Sequence, residues 1–260
     1  MTSSNRGEAG AAISNSTVKS LRGRLRKLER NQRSSSRTED RELISTGVEN
    51  LDQLLPEGGF LRGSLVEWLS VGAGAGAVTL ALRGVREACR QGAVPAFIDR
   101  AGELYPPALA GLGIDLDRAI LVRPTKERDE SWALEQALRC PGVGAVLACK
   151  PPLNDRVFRR LQLAAETGGG LGVLIRPATV RQEPSWASVR VLVESMPCLE
   201  QPNADGEGIR VERRLRLTVL RCKGGADGGV LELGVNDETG DVRVVAELAD
   251  PTIVRPSTGA

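Results

Sequence analysis

The sequence predicts an α/β fold: a mostly parallel sheet flanked by helices, with an antiparallel C-terminal extension and an N-terminal helix. Three observations carry this. Short runs of near-continuous Val, Leu, Ile and Ala alternate with helical patterns through the middle of the chain, as strands buried on both faces and joined by crossover helices do. After about residue 185 the strand-like runs follow one another with turn-rich pieces in place of helices. Near the N-terminus an isolated apolar stripe recurs at helical spacing.

In chain order, Val18, Leu21, Leu25 and Leu28 stand 3, 4 and 3 apart and predict an amphipathic helix over about residues 16–31. Residues 17–41 hold nine basic side chains and three acidic ones, a net +6, in a chain whose total is +2. The arginines and lysine between and just after the leucines are Arg22, Arg24, Arg26, Lys27 and Arg30. Such a helix either docks its leucines in a partner's groove and spreads its cations along phosphates, or folds back on its own core with solvated charges. Residues 32–42 are polar, lack periodicity and read as a linker.

The predicted buried strands are 64–69 (SLVEWL), 94–99 (VPAFID), 119–124 (AILVRP), 144–149 (GAVLAC) and 171–176 (LGVLIR). Helices are expected at about 78–91, closed by Gly92, and at 105–112, 129–140 and 153–167. The later strands are 187–195, 212–223, 229–235 and 241–248, separated by the turn formers of 203–208, 224–229 and 236–240. Residues 249–260 read as a frayed tail.

Composition removes much chemistry at once. The chain has 260 residues and no histidine, which excludes His-based triads, metal sites and imidazole bases. The five cysteines form no CxxC pair, so reduced, mostly buried thiols are expected and neither a disulfide framework nor a zinc site is. Mean hydropathy is −0.17. No stretch approaches the roughly 20 apolar residues of a membrane span, and the opening MTSSNRGEAG lacks a signal-peptide core, so a cytoplasmic location is expected.

The informative junction lies at 64–85, where a strand runs into Gly72, Gly74 and Gly76 and then into a helix. A strand, glycine turn and helix can aim backbone N–H groups at a phosphate. A working phosphate loop also needs a Lys for the β- and γ-phosphates and a Ser or Thr for Mg²⁺ in the order G-x-x-x-x-G-K-[ST]. Here Gly76 is followed by Ala77 and Val78, and Thr79 comes one place late. The G-x-G of GAGAG has no third glycine at dinucleotide spacing, so the sequence favours a tight turn that lets the helix pack closely. At the carboxyl end of 144–149, where a metal-binding Asp would serve, stand Cys149 and Lys150, poor company for Mg²⁺. Asp99 alone follows a strand as a carboxylate.

The segment 44–68 (ISTGVENLDQLLPEGGFLRGSLVEW) resembles the opening of RecA-type recombinases, and the likeness continues collinearly through 76–82, 96–99, 112–117, 133–138, 185–190 and 215–223. The resemblance implies a RecA-like core over 44–248, behind an arm of 1–43 and before a tail of 249–260. It places Ala77 and Val78 at the family's phosphate-loop Lys and Thr, Cys149 at its Walker-B Asp, and Ala101 near its catalytic Glu, with Glu103 close by. It also implies that the DNA-holding loops are shortened around 151–154 and 175–184. Arg221 and Lys223 match basic residues that reach a neighbouring protomer's nucleotide.

With its basic N-terminal helix and eroded ATP site, the chain is similar to the ImuA family of accessory proteins. That likeness implies a non-catalytic role in damage-induced translesion DNA synthesis within the SOS response. It implies contact with an ImuB-like polymerase-family protein, with RecA, the DnaE2 polymerase and single-stranded DNA as further partners, and no cofactor. A DNA-dependent ATPase of the RecA type and a SulA-like division inhibitor are the alternatives.

Overall fold

The computed structural model describes residues 42–72, 74–151, 153–202, 209–225, 228–236 and 242–248. The expected N-terminal helix and its candidate contacts Val18, Leu21, Arg22, Arg24, Leu25, Arg26, Lys27, Leu28 and Arg30 lie outside the described residues, as does the tail.

The chain enters through a two-residue strand, β1 (Leu43–Ile44), which pairs antiparallel with β2 (Phe60–Leu61). Between them lies a short helix, α1 (Glu49–Leu54). Asp52 fastens this entry by accepting from the Ser45 hydroxyl (2.6 Å) and the Thr46 amide (2.7 Å). The sequence assigned no element to this segment, because two-residue strands and a six-residue helix are too short to show a period.

The main sheet has nine strands in the order β11-β10-β9-β8-β3-β7-β6-β4-β5. Its parallel part is β3 (Leu65–Ser70), β4 (Val94–Ile98), β5 (Ile120–Val122), β6 (Val143–Cys149), β7 (Leu171–Pro177) and the first half of β8 (Val189–Pro202). The helices α2 (Ala77–Cys89), α3 (Pro106–Gly111), α4 (Glu127–Arg139) and α5 (Asp155–Gly168) connect and cover it. Thus the expected strands and helices form, with boundaries moved by one to three residues in most of them. Gly92, at φ 91°, donates to the Cys89 carbonyl just beyond α2 (3.0 Å). Gly169, at φ 77°, closes α5 in the same left-handed way.

β9 (Ile209–Cys222), β10 (Val230–Val235) and β11 (Val242–Leu248) add antiparallel strands beyond β8. The extension is longer than the sequence suggested, since β8 and β9 each run 14 residues. Residues 175–177 belong to β7, and 178–182 form a 3₁₀ turn.

Two apolar layers flank the sheet. Trp68, Leu80, Val85, Phe97, Leu147, Val173, Val191 and Leu217 sit in one, and Leu65, Ile98, Leu134, Phe158, Leu161 and Leu174 in the other. Val66 and Trp68 face the first layer and Leu65 the second, as the period of two along β3 requires.

Candidate functional site

The glycine loop links β3 to α2 at the carboxyl end of the parallel strands. Ser70 donates its hydroxyl to the Gly72 carbonyl (2.6 Å), and Ala75 N–H turns back to the same oxygen (3.3 Å). Gly74 (φ 76°) and Gly76 (φ 83°) adopt left-handed backbone that an L side chain resists. Gly76 is the N-cap of α2 and receives no side-chain cap; the first helical bond runs from Leu80 N–H to the Gly76 carbonyl (3.1 Å). A Cβ on Gly76 would lie 2.5 Å from Leu215 Cδ1, so this glycine is needed for close packing against β9. Gly72 and Gly74 meet nothing, and face open space.

The loop borders a cleft of ≈ 430 Å³ whose opposite wall comes from the ends of β6 and β7. Ala77, Val78 and Thr79 line it from the first turn of α2, and Glu103, Leu104, Cys149, Lys150 and Ile175 from across. The structure therefore brings Gly72, Gly74, Gly76, Ala77, Val78 and Thr79 together with Cys149 on one wall-to-wall site. It puts Glu103, rather than Ala101, on the lining.

Lys150 is the described non-glycine residue with positive φ, at 52°. Its amide is pinned to the Ile175 carbonyl (2.7 Å), and its ammonium pairs with both Glu103 oxygens (2.7 and 3.0 Å). Burial, and then the charges of Asp99 and Glu103, push the Cys149 thiol up to about 12, which leaves it a neutral, apolar wall. Asp99 is buried and holds the 99–104 turn by accepting from the amides of Glu103 (2.9 Å) and Leu104 (3.2 Å), a structural task. Behind it, Arg100 Nε pairs with Glu130 (2.6 Å), whose carboxyl is raised by burial against the opposing pull of Arg100. Arg213 reaches over from β9 and donates to the Gly74 carbonyl (3.2 Å). Among the described residues no group of three or more His, Cys, Asp or Glu is placed to hold a metal ion.

Arg221 and Lys223 lie away from this cleft. Cys222 pairs with Val189 and Val189 with Val66, so both basic residues sit at the end of the sheet where β3 begins. There Arg221 donates to the Ser185 carbonyl (2.7 Å), and Lys223 N–H to that of Ser188 (2.8 Å).

Sequence reasoning missed a buried ionic cluster on the second face of the sheet. Glu67, fully buried in β3, pairs with Arg176 of β7 (2.8 Å) and Arg190 of β8 (2.6 Å), and accepts from the Ser185 hydroxyl (2.7 Å). Arg176 also holds Glu183 (2.9 Å), while Arg190 donates to the carbonyls of Val180, Arg181 and Glu183. The cluster straps residues 178–188 to the floor of the sheet beside the cleft. A signal was present: each of three otherwise apolar runs, SLVEWL, LGVLIR and SVRVLV, carries one charge.

A second cleft, of ≈ 460 Å³, lies beside the far end of α2. Of its arginines, Arg86 and Arg90 pair with Glu87, and Arg118 donates to the Gly92 carbonyl, as suits a helix C-terminus.

Comparison with known proteins agrees with this architecture. The RecA N-terminal domain family matches residues 14–146. The ImuA proteins of two strains of Caulobacter vibrioides are 30% identical over 237 residues, which covers 84% of this chain and 94% of each relative. Shorter stretches match RecA proteins: 40% identity over 90 residues in Ectopseudomonas oleovorans, covering 35% of this chain and 26% of that protein. In Mesomycoplasma hyopneumoniae the figures are 36% over 85 residues, 33% and 25%.

Proposed function

The chain belongs to the ImuA family of RecA-like proteins, and on that footing we propose that it is a non-catalytic RecA-fold adaptor in damage-induced translesion DNA synthesis. Its task in this reading is to bring an ImuB-like polymerase-family protein to its place, with RecA, the DnaE2 polymerase and single-stranded DNA as further contacts. The basic arm carries the first contact, Val18, Leu21, Leu25 and Leu28 docking while Arg22, Arg24, Arg26, Lys27 and Arg30 supply charge.

The observation that carries the non-catalytic part is the chemistry of the cleft. A triphosphate with Mg²⁺ needs concentrated positive charge and hard oxygen ligands. The first turn of α2 offers Ala77 and Val78, and the end of β6 offers a neutral thiol. The residues present do not fit that group. Arg221 and Lys223 are proposed as contacts between protomers or with a partner, at the end of the sheet remote from the cleft.

The test pairs two measurements on the full chain. Calorimetric titration with ATP and Mg²⁺, and phosphate release with single-stranded DNA, are expected to show neither tight binding nor stimulated hydrolysis. Affinity for the ImuB-like partner is expected to be measurable and to fall when residues 1–41 are removed. DNA-stimulated hydrolysis that vanishes on altering residues 72–79 would establish a RecA-type ATPase instead.

A further inference from the structure

We infer that the glycine-loop cleft is itself a docking pocket for a partner protein, taking a bulky apolar side chain flanked by acidic residues. The inference rests on the adaptor reading above and names the partner chemistry of the same site.

Shape and lining point this way. At ≈ 430 Å³ the cleft falls in the range of small-ligand pockets, roughly 300–1,000 Å³. Its walls are Ala75, Ala77, Val78, Leu104, Ile175 and the neutral Cys149. At its mouth Val71 is 58% exposed, a large apolar side chain left in water on a residue whose amide donates to the Val193 carbonyl (3.3 Å). Gly72 and Gly74 add no cover, since nothing lies within 4 Å of where their Cβ atoms would be. Such a surface is costly to leave wet and favours an apolar occupant over a hydrated polyphosphate.

Charge selects the rest of the ligand. Of the four charged side chains on the lining, Lys150, Arg176 and Arg213 are cationic and Glu103 anionic. Arg176 belongs to the buried Glu67 cluster and stays there. Lys150 and Glu103 are both more than half exposed, so their ion pair is weak and can exchange Glu103 for an incoming carboxylate. The left-handed backbone at Lys150 fixes the origin of that side chain at the rim, the kind of local strain that surrounding structure must over-determine. Apolar walls beneath a cationic rim match an acidic segment with an aromatic or large aliphatic anchor, the arrangement in which a few residues carry most of an interface's affinity.

Three variants of the full-length protein test this. Val71→Asp places a like charge against an acidic partner, Gly72→Phe fills the mouth at a position free of positive φ and of neighbours, and Lys150→Gln removes the rim charge. Two probes are used: the aromatic anion 8-anilinonaphthalene-1-sulfonate and the ImuB-like partner protein. Val71→Asp and Gly72→Phe are expected to weaken both by tenfold or more, and Lys150→Gln by several-fold, with urea midpoints unchanged for the first two. Wild-type affinity for both probes in these variants would overturn the inference, as would displacement of the dye by ATP with Mg²⁺. A wild-type protein that takes the dye in this cleft yet ignores the partner would overturn the adaptor reading and leave the pocket's chemistry standing. Partner binding unaffected by all three variants would overturn the pocket alone.

Discussion

Removal of Glu67 should unfold the protein more readily than removal of any exposed carboxylate. Its two oxygens stand between Arg176 and Arg190, both only 6% exposed, so Glu67→Ala leaves two guanidiniums in the interior without their shared counter-charge. Breaking one side of a buried pair costs about 3–5 kcal/mol. Arg176 keeps Glu183 and Arg190 keeps three carbonyls, which places the expected loss near the lower end, about 3 kcal/mol. With a urea slope near 3 kcal/mol/M, suited to a chain of this size, the midpoint falls by about 1 M. Glu67→Gln keeps one acceptor oxygen but turns an amide NH2 toward the other arginine, so it should lose less than Glu67→Ala and more than an exposed control. The control is Glu127→Ala, whose carboxylate is 70% exposed and 3.8 Å from Arg100, where a change within about 0.5 kcal/mol is expected. Urea melts of the three variants, followed by circular dichroism, decide the matter. A Glu67→Ala midpoint indistinguishable from that of Glu127→Ala would refute the claim that the strap over residues 178–188 hangs on this cluster.

Other outcomes follow from the site. Gly76→Ala and Gly74→Ala both incur the left-handed backbone penalty of roughly 1–2 kcal/mol, but only the former adds the clash with Leu215, roughly 1–3 kcal/mol more. Equal urea midpoints for the two would refute the packing role of Gly76. In the native protein Ellman's reagent at pH 8 should titrate Cys140 and Cys198, which are exposed, while Cys149, held at about 12, and Cys89, at about 11, stay silent until the chain unfolds. The same two thiols ordinarily titrate near 9, so above that pH the unfolded chain releases protons that the native state retains, and stability falls as pH rises. A flat stability profile from pH 9 to 11 would contradict their burial. Trp186→Phe removes the indole bond to Asp155 (2.7 Å) and weakens the stacking of Arg159 over the ring (5.1 Å), for an expected loss of about 1 kcal/mol in a urea melt.

The sequence by itself determined the alternation of strand and helix, because strands buried on both faces must be apolar throughout and amphipathic helices must repeat every 3.6 residues. It also displayed the junction of Gly72, Gly74, Gly76, Ala77 and Val78, since a glycine turn between a strand and a helix is a local event. What it could not display is anything that depends on which strands are neighbours. Glu67, Arg176 and Arg190 are 109 and 14 positions apart along the chain and meet only because β3 pairs with both β7 and β8. Glu103 and Lys150 likewise meet across 47 residues to close one side of the cleft. Arg213 and Leu215 reach the glycine loop only because β9 returns antiparallel along β8. Pairing partners in a sheet are chosen by the packing of the whole core, whereas turns, caps and hydrophobic periods are set within a few residues, and that difference in range divides what each level of structure decides.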